Sequence, residues 1–310
     1  MQSDLERDAA DRAAPRPTTE SPPVSPPESP PINASFWMRA LTIVLFYISG
    51  WRWFIRYMRS PPHVRYISRR LCIRTSYRAM LSEARAIQMV AAKTTIPVPK
   101  IYCSFCYRGR VLILMERLPG RPLCANWRGR TPASRNAILA QLKSMLAELR
   151  SIPIPPSLIT SLGASPVASV DGGVFYDGNL PTNSLWGPYD SIQAFHRAVR
   201  DTSGVCVTEE TFNVFPDLRT LIAFHDGPFG PPVFTHGDLS SFNILADGDK
   251  VTGIIDWETA AWMPAYWEYT NAWHVSPYNL FWQEEVGKFI PADAYALEME
   301  KIRRRYYNRF

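Results

Sequence analysis

The stretch VFTHGDLSSFNIL, from Val233 to Leu245, is followed closely by VTGIIDWETA, from Val251 to Ala260. In these segments Asp238 precedes Asn243 by five residues, and Asp256 ends an apolar run. The run VTGIID predicts a β-strand, and the DGD before it predicts the turn of a hairpin. We therefore expect the two aspartates to emerge from adjacent strands.

This order of side chains fits the chemistry of phosphoryl transfer, in which a protein mainly positions groups and neutralises charge. The pattern His-x-Asp-Leu-x-x-x-Asn, followed by an aspartate after a strand, is that of protein kinases. There, the first aspartate accepts a proton from the attacking hydroxyl, and the other two residues hold magnesium. Each residue also has a structural interpretation, because Asp238 could cap a turn, Asn243 could satisfy loop carbonyls and Asp256 could be an N-cap.

The N-terminal part divides into two segments of different composition. Residues 1–31 contain eight prolines and no aromatic residue, which predicts a disordered tail. Residues 32–60 predict an apolar or amphipathic helix, with an uncharged stretch of 12 residues from Ala40 to Trp51. A membrane-spanning helix needs about 20 apolar residues. Two alternatives remain, namely packing on the folded domain and peripheral contact with a membrane through Phe36 to Met58.

The remaining chain changes from mixed to mainly helical patterns. Residues 61–118 predict strands, one helix with Met80, Ala84, Ile87 and Ala91 on one face, and a hairpin that turns at Gly109. Residues 119–310 begin with a long amphipathic helix, and residues 153–190 read as an irregular insertion. The apolar face of that long helix consists of Ile138, Leu142, Leu146 and Leu149.

Composition indicates a globular chain long enough for two lobes. It has 310 residues, of which 46% are hydrophobic, and a net charge of +6. The basic run Arg303 to Arg305 is interpreted as a solvated helix face, so no nucleic-acid partner is expected. The five cysteines are an odd number without a repeating framework, which argues against a disulfide-stapled secreted domain. Cys103 and Cys106 form a single CxxC, interpreted as buried thiols in a sheet.

From about Pro62 to the C-terminus, the sequence resembles a fungal member of the aminoglycoside phosphotransferase-like family. The resemblance is carried by SEARAIQMVAAKTTIPVPKIY, LILMERLPGRPL, FTHGDLSSFNIL and GIIDWETAAWMPAYWEY. It implies a protein-kinase-like α+β fold with two lobes. The small N-lobe, residues 61–118, would have an antiparallel sheet and one helix, and the larger C-lobe, residues 119–310, would be mainly helical. The hinge would lie near Met115 to Leu118.

The resemblance also implies roles for individual residues. Asp238 would be the catalytic base, Asn243 and Asp256 would bind magnesium, and His236 would support the catalytic loop. The nucleotide would be bound by Arg74, Glu83, Met115, Glu116, Asn243 and Asp256. We expect ATP and Mg²⁺ as cofactors, an unidentified small molecule as acceptor, and a monomeric cytoplasmic protein.

Two features depart from the family pattern. The family has a lysine on the strand before the N-lobe helix, whereas this chain has Arg74, and its first lysine is Lys93. The first hairpin turn reads YISRRLC, with Arg69 and Arg70 in place of phosphate-cradling glycines. Two hypotheses follow: an ATP- and Mg²⁺-dependent phosphotransferase acting on a hydroxyl, or a kinase-like pseudoenzyme that binds a ligand without transfer.

Several other residues have both a functional and a structural interpretation. Arg74 could contact phosphate or be a surface arginine, and Glu83 could steady that cation or be an exposed helical glutamate. Glu258 and Glu268 could lie near the acceptor pocket and bind a cationic substrate, or they could be structural. Glu268 is expected to support the C-lobe through a hydrogen bond, and both interpretations stay open for Glu258. The aromatic cluster after Asp256 is expected to be core. It comprises Trp257, Trp262, Tyr266, Trp267, Tyr269 and Trp273.

Overall fold

The structure is a computed structural model that describes residues 29–58, 61, 63–76, 80–159, 165–182, 184–202, 209–274 and 277–307. Most of the expected tail, residues 1–28, lies outside the described residues. Of the helices in the described part of the chain, none combines the length and hydrophobicity that a bilayer span requires.

The N-lobe is a four-stranded antiparallel sheet with helices on both faces. Its elements are α1 (Phe36–Ile48), α2 (Arg52–Met58), β1 (Val64–Tyr66), β2 (Leu71–Ser76), α3 (Ser82–Lys93), β3 (Ile101–Tyr107) and β4 (Arg110–Glu116). The strand order is β1-β2-β4-β3. Alternate residues of β4 point to opposite faces, so Leu112 packs with α1, whereas Ile113 packs with α3.

Three details of the N-lobe differ from the sequence predictions. Residues 32–60 form two helices rather than one, because α1 ends at Ile48 and α2 begins at Arg52. Helix α3 begins at Ser82 and buries Glu83, Ala86, Ile87 and Val90, whereas Met80 is only half-buried and Ala91 is exposed. Cys106 is exposed and only Cys103 is buried, since the residues lie three apart on one strand.

The C-lobe is mainly helical and contains two small antiparallel sheets. Its elements are β5 (Arg121–Pro122), α4 (Pro132–Ser151), β6 (Ala168–Ser169), α5 (Ile192–Asp201), α6 (Glu209–Val214), α7 (Pro216–Asp226), β7 (Val233–Thr235), β8 (Ile244–Asp247), β9 (Lys250–Ile254), β10 (Ala261–Met263), α8 (Trp267–Trp273), α9 (Gln283–Val286) and α10 (Ala294–Tyr307). The strand orders are β5-β8-β9 and β6-β10-β7. This architecture confirms the expected two-lobed α+β fold.

One hydrophobic core connects the two lobes. It includes Ile87 and Val90 of α3 together with Trp257 and Trp262 of the C-lobe. The predicted apolar face of α4 is confirmed and extends to Leu139. The aromatic cluster is core as expected, except that Trp273 is half-buried.

The basic run near the C-terminus is not a solvated face. Arg303 is fully buried, and its guanidinium donates to both carboxylate oxygens of Glu300, at 2.6 and 2.7 Å. It also donates to the carbonyl oxygen of Asn179 at 2.9 Å. Of the three arginines, Arg305 is the exposed one, and it forms an ion pair with Asp217. Arg303 therefore anchors α10 to the segment around Asn179.

Candidate active site

The loop after β7 carries Asp238 and holds it within hydrogen-bonding distance of Asn243. Gly237 has a φ of +83°, and a Cβ there would lie 3.0 Å from the carbonyl oxygen of Thr259, so this position favours glycine. The imidazole of His236 is buried, and its Nε2 donates to the carbonyl oxygen of Ile255 at 3.0 Å. Its Nδ1 accepts from the Asp238 amide at 3.1 Å. Burial lowers the pKa of His236 to about 4, so the ring is neutral and acts as a scaffold.

The side chain of Glu268 fixes the backbone of the same loop. Its two carboxylate oxygens accept from the amides of His236 at 2.7 Å and of Gly237 at 3.1 Å. Burial raises the pKa of Glu268 to about 7, although the two amides and Arg150 favour the carboxylate. The supporting hydrogen bond expected from the sequence is therefore present.

Replacing Glu268 should reduce stability markedly. Glu268→Ala leaves two buried amides without acceptors, and we expect it to lower the free energy of unfolding by about 2–5 kcal/mol. Glu268→Gln keeps one acceptor oxygen and should lose about half as much. Urea unfolding measures both, with Glu298→Ala as the control, because Glu298 makes only an exposed ion pair with Lys301. An unchanged midpoint for Glu268→Ala would contradict this role.

Asn243 is bonded directly to the proposed base. Its Nδ2 donates to the backbone oxygen of Asp238 at 3.0 Å and to its carboxylate oxygen Oδ2 at 2.7 Å. Burial, followed by the charge of Asp256, raises the pKa of Asp238 to about 7. Asp256 has a φ of +68°, stands at the N-cap position of a short turn and makes no capping hydrogen bond. The Asp256 carboxylate accepts from Arg74 instead of capping the turn, so the N-cap interpretation does not explain this residue.

Arg74 connects three carboxylates at the junction of the lobes. Its Nε donates to Glu83 Oε2 at 2.8 Å and lies 2.7 Å from Glu83 Oε1. Its Nη2 contacts Asp256 at 2.5 Å and Glu258 at 3.0 Å. Burial lowers the pKa of Arg74, but the three surrounding carboxylates outweigh burial and raise it. Arg74 is therefore not a surface arginine, and Glu83 is not an exposed glutamate.

The cluster carries more negative than positive charge. Arg74 supplies one positive charge, whereas Glu83, Asp256, Glu258 and the neighbouring Asp238 supply four carboxyl groups. Burial, together with the charges of Asp256 and Glu258, raises the pKa of Glu83 despite its contact with Arg74. Such an excess of oxygen ligands fits a hard divalent cation.

Few protein side chains at the site are available as metal ligands, as expected for magnesium bound together with phosphate. Within the described ranges, no group of three or more His, Cys, Asp or Glu side chains has the arrangement of a metal site. Mg²⁺ typically binds through one or two carboxylates plus phosphate and water. Asn243 and Asp256, the magnesium ligands implied by the resemblance, would be two protein ligands of this kind.

A cavity of about 660 Å³ leads from the lobe connection to this cluster. Met115 and Glu116 line it where β4 ends, and Arg74 and Asp256 line it at the ion cluster. Its other walls are mostly apolar and come from both lobes, including Val64, Tyr66, Cys72, Leu245 and Ile255. The structure thus brings the predicted hinge residues, Arg74 and Asp256 to one cavity, with Glu83 behind Arg74, whereas Asn243 and Asp238 are not among the residues that line it.

The first hairpin turn is not placed to cradle phosphate. Leu71 pairs with Glu116, so the turn lies at the hinge end of β2, away from Arg74. There the Arg117 amide donates to the backbone oxygen of Arg70 at 3.0 Å. The turn that carries Arg69 and Arg70 therefore lies at the hinge end of the cavity, which Arg69 lines, rather than beside Arg74.

The sequence gave little indication that some residues contact the candidate site or its loop. Glu258 contacts Arg74, a residue 184 positions earlier. Asp177 is buried in the irregular segment, and its Oδ2 accepts from Trp267 at 2.7 Å and from Asn271 at 3.0 Å. Asn271 in turn donates to the backbone oxygen of Gly237 at 3.2 Å. Only the tertiary contacts reveal that Asp177 supports the loop.

Comparison with known proteins identifies solved structures with a similar fold. Crystal structures of aminoglycoside phosphotransferase APH(4)-Ia share the fold. One is 15% identical, covers 85% of this chain and 88% of that chain, and has a TM-score of 0.57. A thermostable mutant in ternary complex with ADP and hygromycin B is 14% identical, covers 82% and 88%, and has a TM-score of 0.56.

The sequence comparisons assign the family. No curated protein matches the chain. The model of the phosphotransferase enzyme family matches residues 53–305, which is most of the chain and includes both lobes. The chain therefore belongs to the phosphotransferase enzyme family.

Proposed function

We propose that this protein is an ATP- and Mg²⁺-dependent phosphotransferase that acts on a hydroxyl of a small molecule. The observation that carries the proposal is the contact of Arg74 with Asp256 in a cavity between the lobes, with the hydrogen-bonded pair Asn243 and Asp238 near enough for the charge of Asp256 to act on Asp238. Membership of the family supports phosphoryl transfer. The structural relative in complex with ADP and hygromycin B supports a nucleotide and a small molecule as ligands.

The nucleotide would lie along the cavity with its base at the hinge. Met115 and Glu116 would border the base, and Cys72, Leu245 and Ile255 would pack against its faces. The phosphates would then point toward Arg74, whose guanidinium can bind phosphate oxygens bidentately. This arrangement uses each predicted nucleotide-binding residue, with Glu83 orienting Arg74.

The acceptor hydroxyl would be activated by Asp238. Its carboxylate accepts the hydroxyl proton while the oxygen attacks the terminal phosphoryl group of ATP, and ADP leaves. Asn243 and Asp256 would hold magnesium, which neutralises phosphate charge when bound. The hydrogen bond from Asn243 Nδ2 keeps the Asp238 carboxylate oriented.

A binding-only role is the second candidate function. Arg74 already occupies Asp256 Oδ1, one of the proposed metal-binding oxygens. The chain also has no glycine between Gly50 and Gly109, so no glycine-rich segment can bring several amides to the phosphates. Both observations favour weak nucleotide binding, and nucleotide-binding measurements separate the hypotheses.

Arg74 variants provide this test. Arg74→Ala should weaken magnesium-dependent binding of a labelled ATP analogue about 10- to 100-fold, because charge-assisted hydrogen bonds to phosphate are lost. Arg74→Lys should retain or increase nucleotide binding. Arg74→Ala and Glu83→Lys should both reduce phosphoryl transfer. Arg197→Ala is a control, because Arg197 is exposed on α5.

The outcomes discriminate clearly between roles. Equal binding by wild type, Arg74→Ala and Arg74→Lys would contradict the proposed role of Arg74. Absence of binding by both wild type and Arg74→Lys would contradict the enzyme hypothesis and favour the pseudoenzyme.

A further inference from the structure

Helix α1 is apolar on two opposite sides. Its inner side places Phe46, with Met38 and Leu45, against Phe105 and Leu112 of the N-lobe sheet. Its outer side exposes 78% of Trp37, 49% of Leu41, 53% of Val44 and 41% of Ile48. A helix at the surface of a globular domain normally has a polar outer side. The exposed apolar side of α1 therefore indicates an interaction surface.

The exposed residues form one continuous stripe. Positions 37, 41, 44 and 48 follow helical spacing on a single face of α1. The apolar surface continues beyond the helix through Trp51, which is 59% exposed, and through Ile55 and Tyr57 of α2. We call these seven residues the outer stripe. Its aromatic residues, Trp37, Trp51 and Tyr57, are types enriched at membrane–water interfaces.

The charge around the outer stripe has one sign. Residues 29–58, which include both helices, contain three arginines, Arg39, Arg52 and Arg56, and neither aspartate nor glutamate. Arg52 and Arg56 are exposed on α2. A second cavity, of about 470 Å³, lies between Trp51 and the β3–β4 turn and is lined by Arg65, Arg108 and Arg110. The surface is thus both apolar and basic, as in interfacial helices that bind anionic lipid.

We propose that the outer stripe and its flanking arginines dock this protein onto an anionic phospholipid bilayer, with α1 lying in the plane of the interface. The apolar side chains would enter the headgroup–acyl boundary, and the arginines would face lipid phosphates. A second copy of the chain fits less well, because two acid-free basic surfaces would then repel each other. Insertion across the bilayer is not implied, since α1 has only 13 residues.

Docking in this way leaves the candidate active site open. Leu112 and Leu114 face α1, whereas Val111, Ile113 and Met115 face α3. Met115 also lines the cavity between the lobes. The N-lobe sheet therefore separates the outer stripe from the candidate active site, and membrane binding and nucleotide binding can be measured independently.

The experiment measures cosedimentation of the full chain with vesicles. Wild type should bind vesicles of two-thirds phosphatidylcholine and one-third phosphatidylserine, and bind weakly to pure phosphatidylcholine. Trp37→Ser combined with Leu41→Ser should weaken partitioning on the order of 100-fold, because two large apolar side chains no longer insert. Arg52→Glu combined with Arg56→Glu should weaken it at least about 25-fold, and only on the anionic vesicles.

Matched controls use exposed residues of the C-lobe. Val214→Ser with Leu280→Ser removes two exposed apolar side chains, and Lys143→Glu with Arg197→Glu reverses two exposed charges. Both control pairs should bind as wild type does, and circular dichroism should show that all variants are folded.

Three outcomes would overturn the proposal. The first is absence of wild-type binding to anionic vesicles, and the second is equal loss of binding in the controls. The third is sedimentation equilibrium showing a dimer that Trp37→Ser with Leu41→Ser dissociates, because a second copy would then cover the outer stripe.

Discussion

Asp238→Asn should nearly abolish phosphoryl transfer and leave magnesium–nucleotide binding close to that of wild type. The variant retains size and shape, and its amide oxygen can still accept the hydrogen bond from Asn243. It cannot take a proton from the acceptor hydroxyl. General-base catalysis contributes about 10²- to 10⁴-fold, so kcat should fall by a factor in that range. Nucleotide affinity should change little, because Asp238 acts on the acceptor.

The measurement pairs single-turnover transfer with binding of an ATP analogue. Asp247→Asn is the matched control, because Asp247 is exposed at the end of β8 within the same region. Transfer by Asp238→Asn at the wild-type rate would show that another group accepts the proton.

Asp256→Ala should remove the magnesium dependence of nucleotide binding. Loss of an outer-shell partner alone costs about 10- to 100-fold in metal affinity, so loss of a direct ligand should cost at least as much. Arg74 would keep Glu83 and Glu258 as partners, so the cation should stay in place. The variant should therefore bind nucleotide equally with Mg²⁺ and with a chelator.

Binding of a labelled ATP analogue in the presence and absence of Mg²⁺ measures this effect, with Asp247→Ala as the control. Retention of the wild-type magnesium dependence by Asp256→Ala would exclude Asp256 as a ligand. If Asp238→Asn lost nucleotide affinity and Asp256→Ala did not, the two roles would be reversed.

Local patterns in the sequence predicted the fold well. The hairpin of β8 and β9 and the apolar face of α4 depend on neighbours a few residues apart, so periodicity and turn residues reveal them. The order of Asp238, Asn243 and Asp256 similarly identified the candidate site, because its chemistry fixes residue types at short spacing. Their proximity to one another follows from a single turn and hairpin.

Features formed by distant segments were harder to predict. Glu258 and Arg74 are brought together only when the lobes meet, and no local spacing specifies that contact. The break between α1 and α2 lies at Ser49 and Gly50 within a nearly uniform apolar run, where composition suggested one helix. Burial of Arg303 could have been suspected from Glu300 one turn earlier, since that spacing permits an ion pair.

Arg74 has a further consequence, because its partners belong to different lobes. Glu83 lies on the N-lobe helix, whereas Asp256 and Glu258 belong to the C-lobe. A single guanidinium therefore restrains the angle between the lobes before any ligand arrives. An incoming phosphate would replace one or more of these carboxylates as a partner of Arg74. Because the lobes are already held together, closure of one lobe onto the other would contribute little to the entropy lost on binding. The cleft is preorganised by the same arginine that distinguishes this chain from the lysine-bearing pattern.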